Sequence, residues 1–244
     1  MTWLGRFSFS LCFASVLCAE PVLVELFTSE GCSSCPPADV LLQALSRSQP
    51  VPGATVVAMS EHVDYWNHLG WRDPFSSAQM SVRQEAYARR LGGNGPYTPQ
   101  MVVDGEAEFV GSDGTQARRA IALAAERPKV ELKAEVASPG KVHISAPAGK
   151  GSGDVFLAAI YDPEVSTVSR GENSGRRLTH VSVVKSLRKV GELARNKALD
   201  VQVEAPNERL VVFVQERGQG RVLGVAEVAV RQSAGSVARW SPQK

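Results

Sequence analysis

Hydrophobic and polar positions change period about halfway along this 244-residue chain, which separates a part alternating strands with helices from a part that reads as strands alone. Residues 22–27 are apolar at almost every position, as in a strand covered on both faces. After them Ala38, Leu41, Leu42 and Leu45 recur at helical spacing, opened by Pro36 and Pro37, which suit a first turn whose N–H groups lack partners anyway. Residues 50–53 break that helix, and 54–59 form a second β-rich run. Strand, helix and strand in this order imply a right-handed parallel crossover. The segment leaving the second strand, 60–71, therefore emerges on the same side as the loop after the first. Ser76 and Gln79 then have the form of a capping box, with Ser76 as N-cap, for a helix carrying Met80, Gln84, Tyr87 and Leu91 on one stripe and stopping at Gly92 and Gly93. Residues 94–105 read as a loop entering a strand that ends in an Asp104–Gly105 turn, with 107–110 pairing back as a hairpin. Asp113 opens a last helix that Pro128 ends.

From Lys129 the pattern alternates. Val130, Leu132, Ala134 and Val136 share one face, and Val142, Ile144 and Ala146 continue it after a Pro139–Gly140 turn. Further strands are expected at 154–161, 178–190, 199–205, 210–215 and 222–230. Several short strands without a strong helix suggest an immunoglobulin-like β-sandwich. A polar loop at 170–180 has two readings, a surface that docks on the first half or a solvated hairpin. His180 is expected to pack or cap rather than to ligate a metal.

The two ends differ from the rest. Residues 1–6 carry one positive charge, 7–19 are almost wholly apolar, and Ala19 offers a small residue before Glu20, so 1–19 read as a cleaved signal peptide. Its apolar stretch is too short to span a bilayer, and no later segment approaches the needed length. Residues 232–244 lack periodicity and read as a flexible tail. The expected division is a leader at 1–19, an α/β domain at 20–128, a β-sandwich at 129–231 and the tail. Removing Arg6 from the 27 basic residues leaves 26 against 25 acidic, a net charge of +1 that gives no reason to expect nucleic acid or an anionic membrane as partner. The expected location is periplasmic or secreted, without membrane insertion after cleavage.

Loss of the leader removes Cys12 and Cys18 and leaves Cys32 and Cys35 at a helix start. In an oxidising compartment paired cysteines can be a structural staple. A loop this short gives little entropic stabilisation, however, and favours redox or metal chemistry. A thiol in the first helical turn sits among unpaired N–H groups and the positive end of the helix dipole, which favour thiolate. A mixed disulfide at Cys32 can then be resolved by Cys35, so the pair itself carries two electrons and no diffusible cofactor is required. His62, in the segment expected beside the pair, could take a thiol proton or stabilise a thiolate, with Asp64 orienting its ring. Trp66 reads as packing or as a wall of a substrate groove. Glu25, inside the first strand, is either a proton acceptor for the resolving cysteine or an edge-strand residue reaching solvent.

Cys32-Ser33-Ser34-Cys35 between strand and helix, the element order, and Thr98-Pro99 before the third strand together resemble the thioredoxin-like superfamily over 22–127. That resemblance implies a cis-proline at Pro99 lying against the cysteines, with the Thr98 backbone bonding a substrate chain. The stretches 27–39, 62–66 and 97–105 narrow it to family 1223 of the domains of unknown function, made up of secreted bacterial proteins. Ser33 and Ser34 replace the usual glycine and proline between the cysteines, and Gly31 replaces the tryptophan before them, so redox potential and partner choice do not transfer. The expectation is a thioredoxin-like domain followed by an immunoglobulin-like sandwich, acting as a thiol–disulfide oxidoreductase. Its partners would be secreted protein thiols, small thiols or a membrane electron donor or acceptor. Two rivals stand beside it: delivery of copper or another soft metal held by Cys32, Cys35 and His62, and a non-catalytic adaptor with an inert disulfide.

Overall fold

The computed structural model describes residues 19–228 except 94, 162 and 163. The expected leader (apart from Ala19) and the expected tail lie outside the described residues. Strand β1 (Glu20–Thr28) leads into helix α1 (Pro36–Ser48), strand β2 (Ala54–His62) and helix α2 (Ala78–Leu91). The hairpin β3 (Gln100–Val103) and β4 (Ala107–Val110) and helix α3 (Gly114–Ala125) follow. The two prolines do open α1, with Cys35 as its N-cap. The α2 cap is Ser77 rather than Ser76: the Ser77 hydroxyl accepts from the Gln79 N–H, while Ser76 donates to the Asp73 carbonyl. Gly105 closes the β3–β4 turn at φ 70°, where a Cβ would sit 2.3 Å from the Gly220 carbonyl oxygen, so only glycine fits.

The second half contributes β5 (Lys133–Ser138), β6 (Lys141–Ala146), β7 (Gly153–Tyr161), β8 (Glu164–Thr167), β9 (Arg177–His180), β10 (Val183–Leu193), β11 (Leu199–Glu204), β12 (Arg209–Gln215) and β13 (Val222–Val228). The strand expected at 178–190 is thus two strands, broken at Ser182 (φ 54°).

The expected fold class, a thioredoxin-like domain followed by an immunoglobulin-like sandwich, is not what forms. One mixed eight-stranded sheet, in the order β13-β12-β7-β10-β2-β1-β3-β4, runs through both halves. The join is made by β10 on the outer edge of β2, in parallel, with Val183 opposite Ser60 and the Ser60 N–H on the Ser182 carbonyl. The physical reason is visible in burial. β12 is buried at every position but its first, because α2 lies on one face and a three-stranded sheet, β11-β6-β5, lies on the other. A strand of a two-layer sandwich needs only one apolar face; these need two.

Under α2, Leu23, Val57 and Met59 from the first half pack with Ala158, Ile160, Val211 and Phe213 from the second. On the opposite face Val22, Val24 and Leu26 meet Ala38, Leu42 and Leu45 of α1 and Ile121 of α3. The strand β1 therefore ends, at its C-terminal edge, between helices on both faces, and the cysteine turn begins there. No helix among the described residues is long and apolar enough to cross a membrane.

Candidate functional site

Cys32 and Cys35 are joined in a disulfide in the turn between β1 and α1, with Cα atoms 5.5 Å apart. The turn is built by main-chain bonds from the Cys32 N–H to the Ser29 carbonyl (3.1 Å) and from the Cys35 N–H to the Cys32 carbonyl (3.2 Å). The Ser34 hydroxyl lies 3.4 Å from the Cys32 sulfur. Pro36 and Pro37 remove two N–H groups that a helix start would otherwise point at the sulfurs, so the helix acts on them mainly through its dipole. Both cysteines are covered, at 0% and 1% exposure, although Ser33 and Ser34 between them are exposed.

Behind the turn lies a buried cluster of ionisable groups. Glu30 is its hub. One carboxylate oxygen accepts from the Trp71 indole N–H (2.8 Å); the other meets the Ser166 hydroxyl and the His180 Nε2, the latter at 3.2 Å. The Glu30 N–H donates to Asp73 (2.9 Å), and the same Asp73 oxygen holds His62 Nδ1 at 2.7 Å. The His62 and His180 rings meet edge to face at 4.6 Å, with Phe75 against both. The Asp39 carboxylate, one turn into α1, accepts from the Thr28 hydroxyl (3.0 Å) and stands 3.8 Å from His180 Nδ1. Cys35 already has helical dihedrals, so Cys35 and Asp39, four residues apart, lie on the same side of α1.

These contacts set the charges. Burial pulls the His62 imidazolium down, but the Asp73 carboxylate overrides it and holds its pKa above the ordinary value. Burial alone would raise Asp73; the His62 ring and the N–H groups of Glu30 and Phe75 bring it below the usual range. Asp39 is pushed up by burial, which the imidazoles of His180 and His62 only partly oppose.

The residues expected at the site are placed as follows. His62 is in the cluster. Its ring partner is Asp73, eleven residues on; Asp64 accepts instead from the Ser81 hydroxyl at 2.5 Å. Trp66 joins the cysteine turn to the threonine–proline bend. A Cβ on Gly31 would lie 2.9 Å from the Trp66 Cβ, and the indole N–H donates to the Thr98 hydroxyl (2.8 Å). The Thr98–Pro99 bond is cis, and Pro99 lies beside Leu26 and Ala38, all three within 3.3 Å of where a Cβ on Gly111 would stand. Glu25 points to the α2 face, where its carboxylate is taken by Arg83 Nε (2.7 Å) and the Tyr87 hydroxyl (2.6 Å). Among the described residues no group of three or more His, Cys, Asp or Glu side chains is arranged to hold a metal ion.

Sequence reasoning did not find Asp73, read only as part of a turn, nor the part played by His180 and Asn173. Asn173, fully buried at the tip of the β8–β9 hairpin, donates to the carbonyls of Glu30 (2.9 Å) and Cys32 (2.8 Å). Glu172 accepts from the Ser33 N–H (3.0 Å). The polar loop expected either to dock or to be solvated does dock. An asparagine and a histidine amid exposed polar residues carry no pattern that would single them out in advance.

No curated protein matches the chain. Among solved structures, a crystal structure of an Agrobacterium tumefaciens protein from the Northeast Structural Genomics Consortium is similar, at 28% identity and a TM-score of 0.73, covering 88% of this chain and 96% of that one. A family model described as "Protein of unknown function (DUF1223)" matches residues 23–215, which include the cysteine turn, His62, the Thr98–Pro99 bend and the docking hairpin. The chain belongs to that family.

Proposed function

We propose that this protein is a thiol–disulfide oxidoreductase working outside the cytoplasm on the thiols or disulfides of secreted molecules. The observation that carries the reading is the Cys32–Cys35 disulfide at the start of α1, backed by a buried carboxylate–imidazole cluster. A staple closing so short a loop adds little to a core of this size, whereas two sulfurs three residues apart can pass a disulfide to a partner and take it back. The apolar leader at 1–19 and the disulfide itself both suit an oxidising compartment.

In this reading Cys32 is the attacking sulfur and Cys35 the resolving one. When a substrate dithiol is oxidised, its thiolate bonds to Cys32, the Cys32–Cys35 bond breaks, and Cys35 leaves as thiolate and is protonated. The substrate's second thiolate then displaces Cys32, leaving a substrate disulfide and two protein thiols. His62, whose imidazolium form Asp73 favours, can take or give up a proton beside the pair, and the Trp66–Thr98 contact shapes the groove beside it.

The test is turnover of scrambled ribonuclease or of insulin by the purified protein. Wild type should exceed a Cys32→Ser variant by at least about a hundredfold, the scale expected when covalent catalysis is removed. Equal rates would leave the disulfide inert and sink the reading.

A further inference from the structure

Thiol–disulfide exchange needs a sulfur that another sulfur can approach, and the two cysteines here are closed off. One neighbour, the β8–β9 hairpin, lies on the turn's own backbone. Among the described residues, strands β8 and β9 pair only with each other, apart from both larger sheets, and form an appended hairpin. Its tip is a compact turn in which the Gly175 N–H bonds the Val168 carbonyl, the Arg176 N–H the Asn173 carbonyl and the Ser174 N–H the Gly171 carbonyl. From that turn the Asn173 carboxamide reaches the carbonyls of Glu30 and Cys32, while its own oxygen stays buried with no hydrogen-bond partner among the described residues. Glu172 takes the Ser33 N–H, and Gly171 sits where a Cβ would come within 3.2 Å of the Trp71 Cβ.

The groups satisfied in this way have a chemical meaning. Two carbonyls and one N–H in this turn, spread over residues 30–33, must be satisfied again when the tip leaves, which the many amide donors and acceptors of a polypeptide can do and the few polar groups of a small thiol cannot do together. The unpartnered Asn173 oxygen marks a fit less complete than the contacts of a settled core.

Resting on the oxidoreductase reading, we infer that the hairpin tip, residues 171–175, is a displaceable occupant of the redox site. It stands in the place of a cysteine-containing polypeptide, whose backbone takes over its hydrogen bonds as the substrate enters.

The experiment measures how fast the oxidised protein is reduced. With dithiothreitol, a thiolate bonds to one sulfur of the pair, the Cys32–Cys35 bond breaks, and the departing sulfur takes a proton. The second dithiothreitol thiol then closes its own ring, giving two protein thiols and one cyclic disulfide. Alkylation and intact mass read the product. Asn173→Ala should speed reduction about tenfold, the shift expected from losing two ordinary hydrogen bonds, and Glu172→Ala by about half that on a logarithmic scale. Glu172 is exposed, so its variant keeps the test open should Asn173→Ala fail to fold. In wild type, reduced unfolded ribonuclease should react faster than dithiothreitol at equal thiolate concentration. Rates within twofold of wild type for every variant that folds overturn the occupancy, and a faster reaction with dithiothreitol overturns the polypeptide assignment. Scrambled-ribonuclease turnover separates the two ideas. Faster reduction without turnover in any variant keeps the hairpin and sinks the oxidoreductase; turnover in wild type with unchanged reduction rates does the reverse.

Discussion

Two clusters of buried charge flank the same pair of central strands, and they are built for different ends. On the α2 face Arg83 is enclosed by Glu25, Tyr87, Gln215 and Gln219, with Glu61 at 3.5 Å. Its guanidinium also lies over the rings of Tyr87, Phe156 and Phe213, at 5.1, 5.9 and 5.4 Å. Its partners come from both halves of the chain, so the cluster pins the second half of the sheet to the first. Burial and the neighbouring Glu25 carboxylate push Glu61 well up, because one guanidinium cannot hold two carboxylates. On the opposite, α1 face, at the C-terminal ends of β1 and β2, the Glu30 cluster contains two imidazoles, each with a ring nitrogen that has no hydrogen-bond partner among the described residues. Its Glu30 and Asp39 bracket the disulfide turn. A guanidinium does not titrate in water and serves as a peg; the His62 imidazole, whose pKa Asp73 holds above its ordinary value, can exchange a proton. Burial of charge alone therefore does not mark a site. Titratability next to a reactive atom does.

Arg83→Met tests the peg. It strands the Glu25 carboxylate in an apolar face and should cost about 3–5 kcal/mol in urea unfolding, while adding Glu25→Leu should restore more than half of the loss. Thiol reactivity of the reduced pair should stay as in wild type wherever the variant folds; a change there would merge the two clusters into one function. His62→Ala acts on the other face and should cost less, about 2–3 kcal/mol, because Asp73 keeps the N–H groups of Glu30 and Phe75 as donors. This variant should also shift the pH profile of cysteine alkylation.

The stability difference between wild type and His62→Gln should depend on pH. The folded pKa of His62 is raised, so its contribution is complete below the unfolded value of about 6.5 and fades as pH rises through the folded value, by about 1.4 kcal/mol for each unit of displacement. Asp73, whose folded pKa is depressed, contributes above about 4 and is lost as the solution is acidified through that lower value. Thermal melts from pH 4 to 9 should therefore show a plateau in the acid half and a decline toward the alkaline side. A flat difference throughout would deny His62 its charge. The smallest effect is reserved for Ser77→Ala, which removes the α2 cap and should cost about 1 kcal/mol without touching thiol reactivity.

Helices and strands of the first half were legible because each carries its own period and its own stop. The cysteine turn was legible because prolines and a cysteine pair follow a β run. His62 was reachable by one topological step, the handedness of a crossover. Its partner was not: Asp73 is brought back by a loop whose path no local pattern encodes, and Asp64, nearer in sequence, bonds Ser81 instead. Glu25 was left between the dithiol and solvent because strand periodicity says which residues alternate, not which helix covers each face.

Local order was thus written in the residues: where strands and helices begin, which positions are apolar, and that two sulfurs share one turn. Which edges meet was settled by packing across distance. The outer edge of β2 accepts β10, and β7 and β12 become central strands covered by α2 and by a second sheet, because runs such as 210–214 need apolar cover on both faces. The same long-range closure carries His180 and Asn173 onto a turn some 140 to 150 residues earlier. A side chain's burial and charge depend on what arrives opposite it, and that is a property of the assembled chain rather than of any stretch within it.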